Sequence, residues 1–203
     1  MNATLFFVPI GFPSLDLSSN FGWVVDAAVE TLTVEKYSTV DQQMRLLLRE
    51  LAEHRVREVR WLARRSLGYL GDFEWLVDAL RDPDQKLLWP DYIGQLQEAL
   101  LRGPAPAAAV RQTMEKQFGR EGTSLYRMLC GYTHEQLKAG DAAKLVDYLD
   151  HDESAFRALS FWNLKSITGL TLSYQPEATA SKRQLSVQRW RERLEAGALW
   201  QSK

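Results

Sequence analysis

Residues 149–167 read LDHDESAFRALSFWNLKSI, and residues 52–70 read AEHRVREVRWLARRSLGYL. Laid over each other without a gap, they pair His54 with His151, Val59 with Phe156, Arg60 with Arg157, Leu62 with Leu159, Leu67 with Leu164 and Leu70 with Ile167. In each copy a short polar turn containing a histidine leads into a segment with apolar residues three and four apart, the spacing of one helix face. Two such segments 97 residues apart signal an internal repeat, because a single helical unit of this kind cannot bury its apolar stripe alone. The second copy continues through Gly169 and a short Tyr174/Pro176 connection. A last amphipathic segment then carries Trp190 and ends near Gly197.

Outward from this pair, the same periodicity recurs along the chain. Phe21, Val24, Val25, Ala28, Val29 and Leu32 follow helical spacing behind the potential caps Ser19 and Asn20. Met44, Leu47, Leu48 and Leu51 predict a helix starting near Thr39 or Asp41. A third helix is predicted over Val56–Leu70. Its expected buried face is Val56, Val59, Leu62, Ala63, Ser66, Leu67 and Leu70, with Gly71 ending it and Asp72 capping the short helix that follows. Pro83 and Pro90 break the chain within RDPDQKLLWPDY. Further helices are expected over Pro90–Leu101, from Ala107 to Phe118 behind the GPAPAAAV turn, over Ser124–Leu129 and over Ala142–Leu149. Thr133 and Gln136 fit a capping box. TGLTLSYQP alternates too briefly for a sheet strand and reads as a short extended connection. Leu5–Pro13 is apolar with two prolines, so residues 1–18 read as an extended arm.

The run Arg157-x-Leu-Ser-x-x-Asn-Leu-x-x-Ile-Thr-Gly169, entered through an Asp/His turn, resembles the inner half of a HEAT/armadillo repeat. That family's unit is about 40–47 residues, so the offset corresponds to about two units, with the middle one degenerate between Leu88 and Leu137. In the family a polar turn joins paired helices and an Arg of the second helix often braces the turn. Arg157 and, more loosely, Arg60 match that Arg. The tail from Tyr174 to Trp190 is similar to C-terminal segments of helical-repeat proteins from environmental bacteria, many without assigned activity. The resemblance implies an all-α, right-handed α-solenoid of about three to five degenerate helical hairpins. Residues 1–203 would form one helical-repeat domain, with 172–203 as its C-terminal capping segment.

Composition narrows the function classes. The net charge of -1 excludes a global field for nucleic acid or anionic membranes. Hydrophobic residues at 45% suffice for a core, and the seven Trp are core and interface builders. No apolar run is long enough to span a membrane, and MNATLFFVPIGF lacks the basic start of a secretory signal. Cys130 is the single cysteine, which excludes an internal disulfide and points to the reducing cytoplasm. At a helix end it reads as a buried thiol. No metal-binding spacing, nucleophile elbow or phosphate-cradling glycine loop is present. Asp150, Asp152 and Glu153 read as helix N-capping groups. No catalytic, cofactor or metal residue is therefore assigned.

The reading that follows is a non-enzymatic protein–protein interaction or scaffold module. Its expected partner is another protein or an adjacent domain of a larger parent chain. The alternative is a nucleic-acid-binding repeat protein, with Arg57, Arg60 and Arg64 at i, i+3 and i+7 contacting phosphates. Arg57, Arg60, Arg64 and Trp61 are the candidate partner-binding residues. His54, His151 and Arg157 are assigned to the repeat's own bracing. A second basic cluster, Lys182, Arg183, Arg189, Arg191 and Arg193, lies on the last helix. Trp61, Trp75, Trp89, Phe161 and Trp162 are candidates for core packing or for a recognition groove.

Overall fold

The computed structural model describes residues 40–199, so the expected arm over 1–18 and the helix around Phe21–Leu32 lie outside the described residues. The chain divides into two compact units, Met1–Leu47 and Leu48–Lys203. Within the first, residues 40–47 begin helix α1 (Val40–Leu51), where Arg45 Nε meets the Asp41 carboxylate at 2.9 Å, one turn away.

In the second unit the end of α1 leads to α2 (Arg57–Tyr69), α3 (Glu74–Ala79), a 3-10 helix (Pro83–Leu88), α4 (Trp89–Leu101) and α5 (Pro104–Phe118). A 3-10 turn (Gly119–Glu121) then precedes α6 (Gly122–Cys130) and the single turn α7 (His134–Gln136). A widened stretch, Leu137–Asp141, runs into α8 (Ala142–Tyr148), followed by α9 (Ser154–Thr168) and α10 (Ala180–Glu195). Every regular element among the described residues is helical. Packing is mostly between helices close in sequence: α2 on α3, α3 on α4, α4 on α5, α5 on α6 and α8 on α9. Helix α9 also packs on α6 and α4, and α10 packs on α8.

Local chemistry sets the element ends. Pro90 and Pro104 each sit in a first helical turn, where a missing N–H removes nothing from the ladder. Thr133 accepts the Gln136 N–H while the Gln136 side chain accepts the Thr133 N–H, the reciprocal capping box expected there. Two other capping expectations fail. Glu153 makes no side-chain cap for α9; its carboxylate pairs with Arg81 at 3.2 Å instead, and Asp150 pairs with Arg183. Asp72 does not cap α3 but holds Arg49 at 2.8 Å. In both places a long-range cation outcompetes the local N–H. The connection after α9 is a turn rather than an extended link, since Leu172 and Ser173 have φ of 45° and 60°.

The main core runs from Phe73 to Leu199 and includes Leu76, Leu96, Met114, Leu125, Leu159 and Trp190, all fully buried. Helix α9 is its axis. Eight of its residues are buried, from Ala155 to Ser160 and then Asn163 and Leu164. A helix enclosed on so many sides belongs inside a fold rather than on its surface. A smaller cluster of Ala52, Ala63 and Leu67 gathers Leu48, Leu51 and Trp75.

Helix α2 is rotated relative to the expected face. Val56 and Leu62 are each 38% exposed, while Ala63, Arg64, Leu67 and Gly68 are buried. Gly68 explains the rotation: a Cβ there would stand 2.5 Å from Leu76 Cδ1 and 2.9 Å from Gln95 Nε2, so α3 and α4 press directly on the α2 backbone. Helices α5 and α6 approach closely at the start of α6. A Cβ on Gly122 would lie 2.3 Å from the Met114 carbonyl oxygen and 2.6 Å from Glu115 Cα.

Backbone at that distance cannot rotate away, so Gly122→Ala is expected to destabilise the fold by about 2 kcal/mol or more, in the range of overpacking strain. Gly94, inside α4 with nothing within 4 Å of its Cβ position, is the control. Gly94→Ala is expected to stabilise by about 0.5–1 kcal/mol through helix propensity. Urea unfolding midpoints of the two variants should therefore move in opposite directions.

Candidate functional site

The two matched segments build the same turn. His54 Nδ1 accepts the Val56 N–H at 3.1 Å, and His151 Nδ1 accepts the Glu153 N–H at 3.1 Å. An acceptor Nδ1 puts the proton of the neutral ring on Nε2; in His151 that nitrogen faces Glu121 at 3.5 Å. Arg60 donates to the carbonyls of His54 (3.0 Å) and Arg55 (3.3 Å). Arg157 donates to the carbonyls of His151 (2.6 Å) and Asp152, and its Nε reaches the Pro176 carbonyl at 2.6 Å. Each arginine thus closes a turn six residues upstream. The carbonyl that ends the preceding helix is also served in both copies: Ala52 by Arg64 Nε at 3.0 Å, Leu149 by the Tyr174 hydroxyl.

Burial disfavours the charged form of Arg157 and, with the nearby Arg183, lowers its pKa. Burial raises the Tyr174 phenol well above its ordinary value, so it stays a hydroxyl donor to Leu149. The Tyr132 phenol, with Arg127 over its ring at 4.3 Å, is also raised by burial, to about 12.

The basic face of α2 is largely turned inward. Arg64 is 5% exposed and, besides Ala52, faces Asp82 at 3.5 Å. Arg60 faces Asp82 at 3.8 Å and Asp84 at 3.9 Å. The buried Gln85 amide completes the cluster: oriented with its oxygen toward Arg60 it accepts at 3.1 Å and donates to the Tyr92 hydroxyl at 2.7 Å. The Asp82-Pro83-Asp84 segment, which reads in the sequence as a helix breaker, supplies the opposing charge. Arg57 is exposed and paired with Glu58 at 2.8 Å. Trp61 is half-buried against the main core, with the Arg65 guanidinium 5.4 Å from its ring. On α10, Arg183 is buried while Lys182, Arg189 and Arg191 are exposed. Cys130 is exposed rather than buried, because the last turn of α6 presents it outward while Leu129 enters the core.

A groove opens elsewhere, between the start of α4 and the middle of α9. Trp89, Pro90 and Ile93 form one wall, and Ala158, Phe161, Trp162 and Lys165 the other. Lys86, Leu87, Pro176 and Glu177 close its ends. On α9 these residues fall at i, i+3, i+4 and i+7, one helix stripe. Its volume is about 220 Å³, below the roughly 300–1,000 Å³ of small-molecule sites, and suited to one large side chain. Trp89, Phe161 and Trp162 thus share a groove, and Trp61 and Trp75 are not among its lining residues. Arg157 helps shape it by holding the Pro176 carbonyl. Leu87 and the lysines carried no motif that would single them out in the sequence; only the helix crossing brings them together.

Among the described residues no group of three or more His, Cys, Asp or Glu side chains is placed to hold a metal ion. No helix among them is long and apolar enough to cross a membrane. Comparison with protein-family models, with curated proteins and with solved structures returned no match.

Removing the guanidinium in Arg157→Met leaves three carbonyls without their donor. At about 1–3 kcal/mol for each group fully buried, and less for the partly exposed ones, the expected loss is about 3 kcal/mol. Arg157→Lys should recover little of it, because a point donor cannot span the turn and Pro176 together. Arg57→Ala should stay within about 0.5 kcal/mol. Chemical denaturation of the three variants tests this order. The raised phenols add a pH dependence. A folded-state pKa above the unfolded one stabilises fully below the unfolded value near 10 and is lost as pH rises. Denaturation midpoints should hold through pH 9 and fall above about pH 10; a flat midpoint to pH 11.5 would contradict the burial of these hydroxyls.

Proposed function

We propose that this chain is a non-enzymatic, HEAT-like α-solenoid module that binds another protein, or an adjacent domain of a larger parent chain, through the groove between α4 and α9. The observation that carries the reading is a groove that gathers Trp89, Phe161 and Trp162 between two packed helices. Leu87 at its edge is 70% exposed. Aromatic and aliphatic side chains gathered around a pocket for one side chain are the material of interface hot spots. The repeated His/Arg turn supports the solenoid reading, because equivalent turns about two units apart are what a repeating helical array would contain. Helix α10 then closes the array, with Val187 and Trp190 inward and Arg189 and Arg191 outward. An exposed, unpaired Cys130 fits a protein working in the reducing cytoplasm.

The nucleic-acid alternative keeps less support. Arg60 and Arg64 spend their donors on carbonyls and on Asp82, and a guanidinium so engaged releases no phosphate counterion on binding. Log affinity for a labelled DNA duplex falling linearly with log salt would favour that alternative.

Site-specific photocross-linking tests the groove. A benzophenone side chain at Leu87 is expected to give discrete higher-mass adducts in cells of the source organism. The same group at Leu185, which is 63% exposed on α10 and is not among the groove-lining residues, should not. Absence of adducts at position 87, or identical adducts at both positions, would overturn the proposal.

A further inference from the structure

Taking the groove as a protein-docking site, we infer that its occupant is a linear peptide segment with one large apolar anchor flanked by acidic residues. The anchor follows from shape. A groove of about 220 Å³ lined by Trp89, Ile93, Phe161 and Trp162 accommodates one large aromatic or branched side chain. The two prolines at its rim, Pro90 and Pro176, stiffen the walls.

The charge follows from an imbalance. The lining carries two lysines and one carboxylate. Glu177 is committed to Lys86, 3.1 Å away. Lys165 is exposed, and no ion pair holds it among the described residues. The groove is therefore locally positive on a chain whose net charge is -1. A basic or neutral segment would leave Lys165 facing a like charge or no charge. An acidic flank gives it the partner it lacks and steers encounter toward this face.

Lys165 also stands in the last turn of α9, where a cation favours the helix dipole. That role alone would make substitution cost stability and leave ligand choice unchanged, so selectivity is the readout that separates the two.

The test is a displayed library of random 12-residue peptides selected on the full chain, with parallel selections on Leu87→Glu and Lys165→Glu, both at exposed positions. The expected winners carry Trp, Phe or Leu next to Asp or Glu and are lost on Leu87→Glu. A fluorescein-labelled winner should bind Lys165→Glu about two- to fivefold more weakly at low salt, the scale of one exposed charge pair. The gap should narrow in 300 mM NaCl. Exchanging the peptide's acids for lysines should reverse the order of the two proteins. Winners that depend on Leu87 but are basic, uncharged or indifferent to Lys165→Glu would overturn the acidic occupant and keep the docking groove. Winners indifferent to Leu87→Glu, or no enrichment at all, would overturn both.

Discussion

A helix leaves its last four carbonyls without intrahelical partners, and a fold assembled from many short helices must satisfy that set again and again. Backbone N–H groups of the following turn close many of these ends, and this chain adds side-chain donors from elsewhere in the fold. Trp89 serves Ala79, Gln97 serves Leu129, Asn163 serves Met128, Ser160 serves Leu145 and Tyr174 serves Leu149. Arg64 and Arg157 serve the ends and turns of the two matched segments. Where such a donor is the oxygen's partner, as Tyr174 is for Leu149, losing it costs about 1–3 kcal/mol for a buried group. Side chains that look like surface polarity are thereby drawn into the interior.

The same demand rearranges the charges. A guanidinium that must reach a turn carbonyl has to turn inward, and its uncompensated charge then needs acids or water. Around Arg60 and Arg64 the acids come from Asp82 and Asp84. Around Arg157 the balance is thinner: a second guanidinium, Arg183, stands near it and lowers its pKa further than burial alone. The cations left for a partner are then the ones that hold no carbonyl. Lys165 on α9 is one of these, exposed and without an ion pair among the described residues, as Lys182, Arg189 and Arg191 are exposed on α10.

Much of the helical layout was legible in residue spacing. The helices predicted to start near Asp41 and Pro90 and over Ala142–Leu149 appear within a residue or two of those bounds, because apolar periodicity and prolines act locally. The TxxQ capping box was legible for the same reason. The face of α2 was not, since Gly68 looks like a neutral gap in a helical pattern until Leu76 and Gln95 press on it. Asp150 and Glu153 resembled caps because a carboxylate before a helix normally is one; Arg183 and Arg81 arrive from distant sequence.

What the sequence by itself determined was where helices form and that two of them share a His/Arg turn, both properties of residues within one or two helical turns of each other. Only the tertiary structure decided which charges remain available and where the open aromatic surface lies. Those depend on distances between residues 70 or more positions apart, such as Trp89 and Phe161, which meet across a groove because α4 and α9 pack on each other. Helix periodicity carries no information on such crossings.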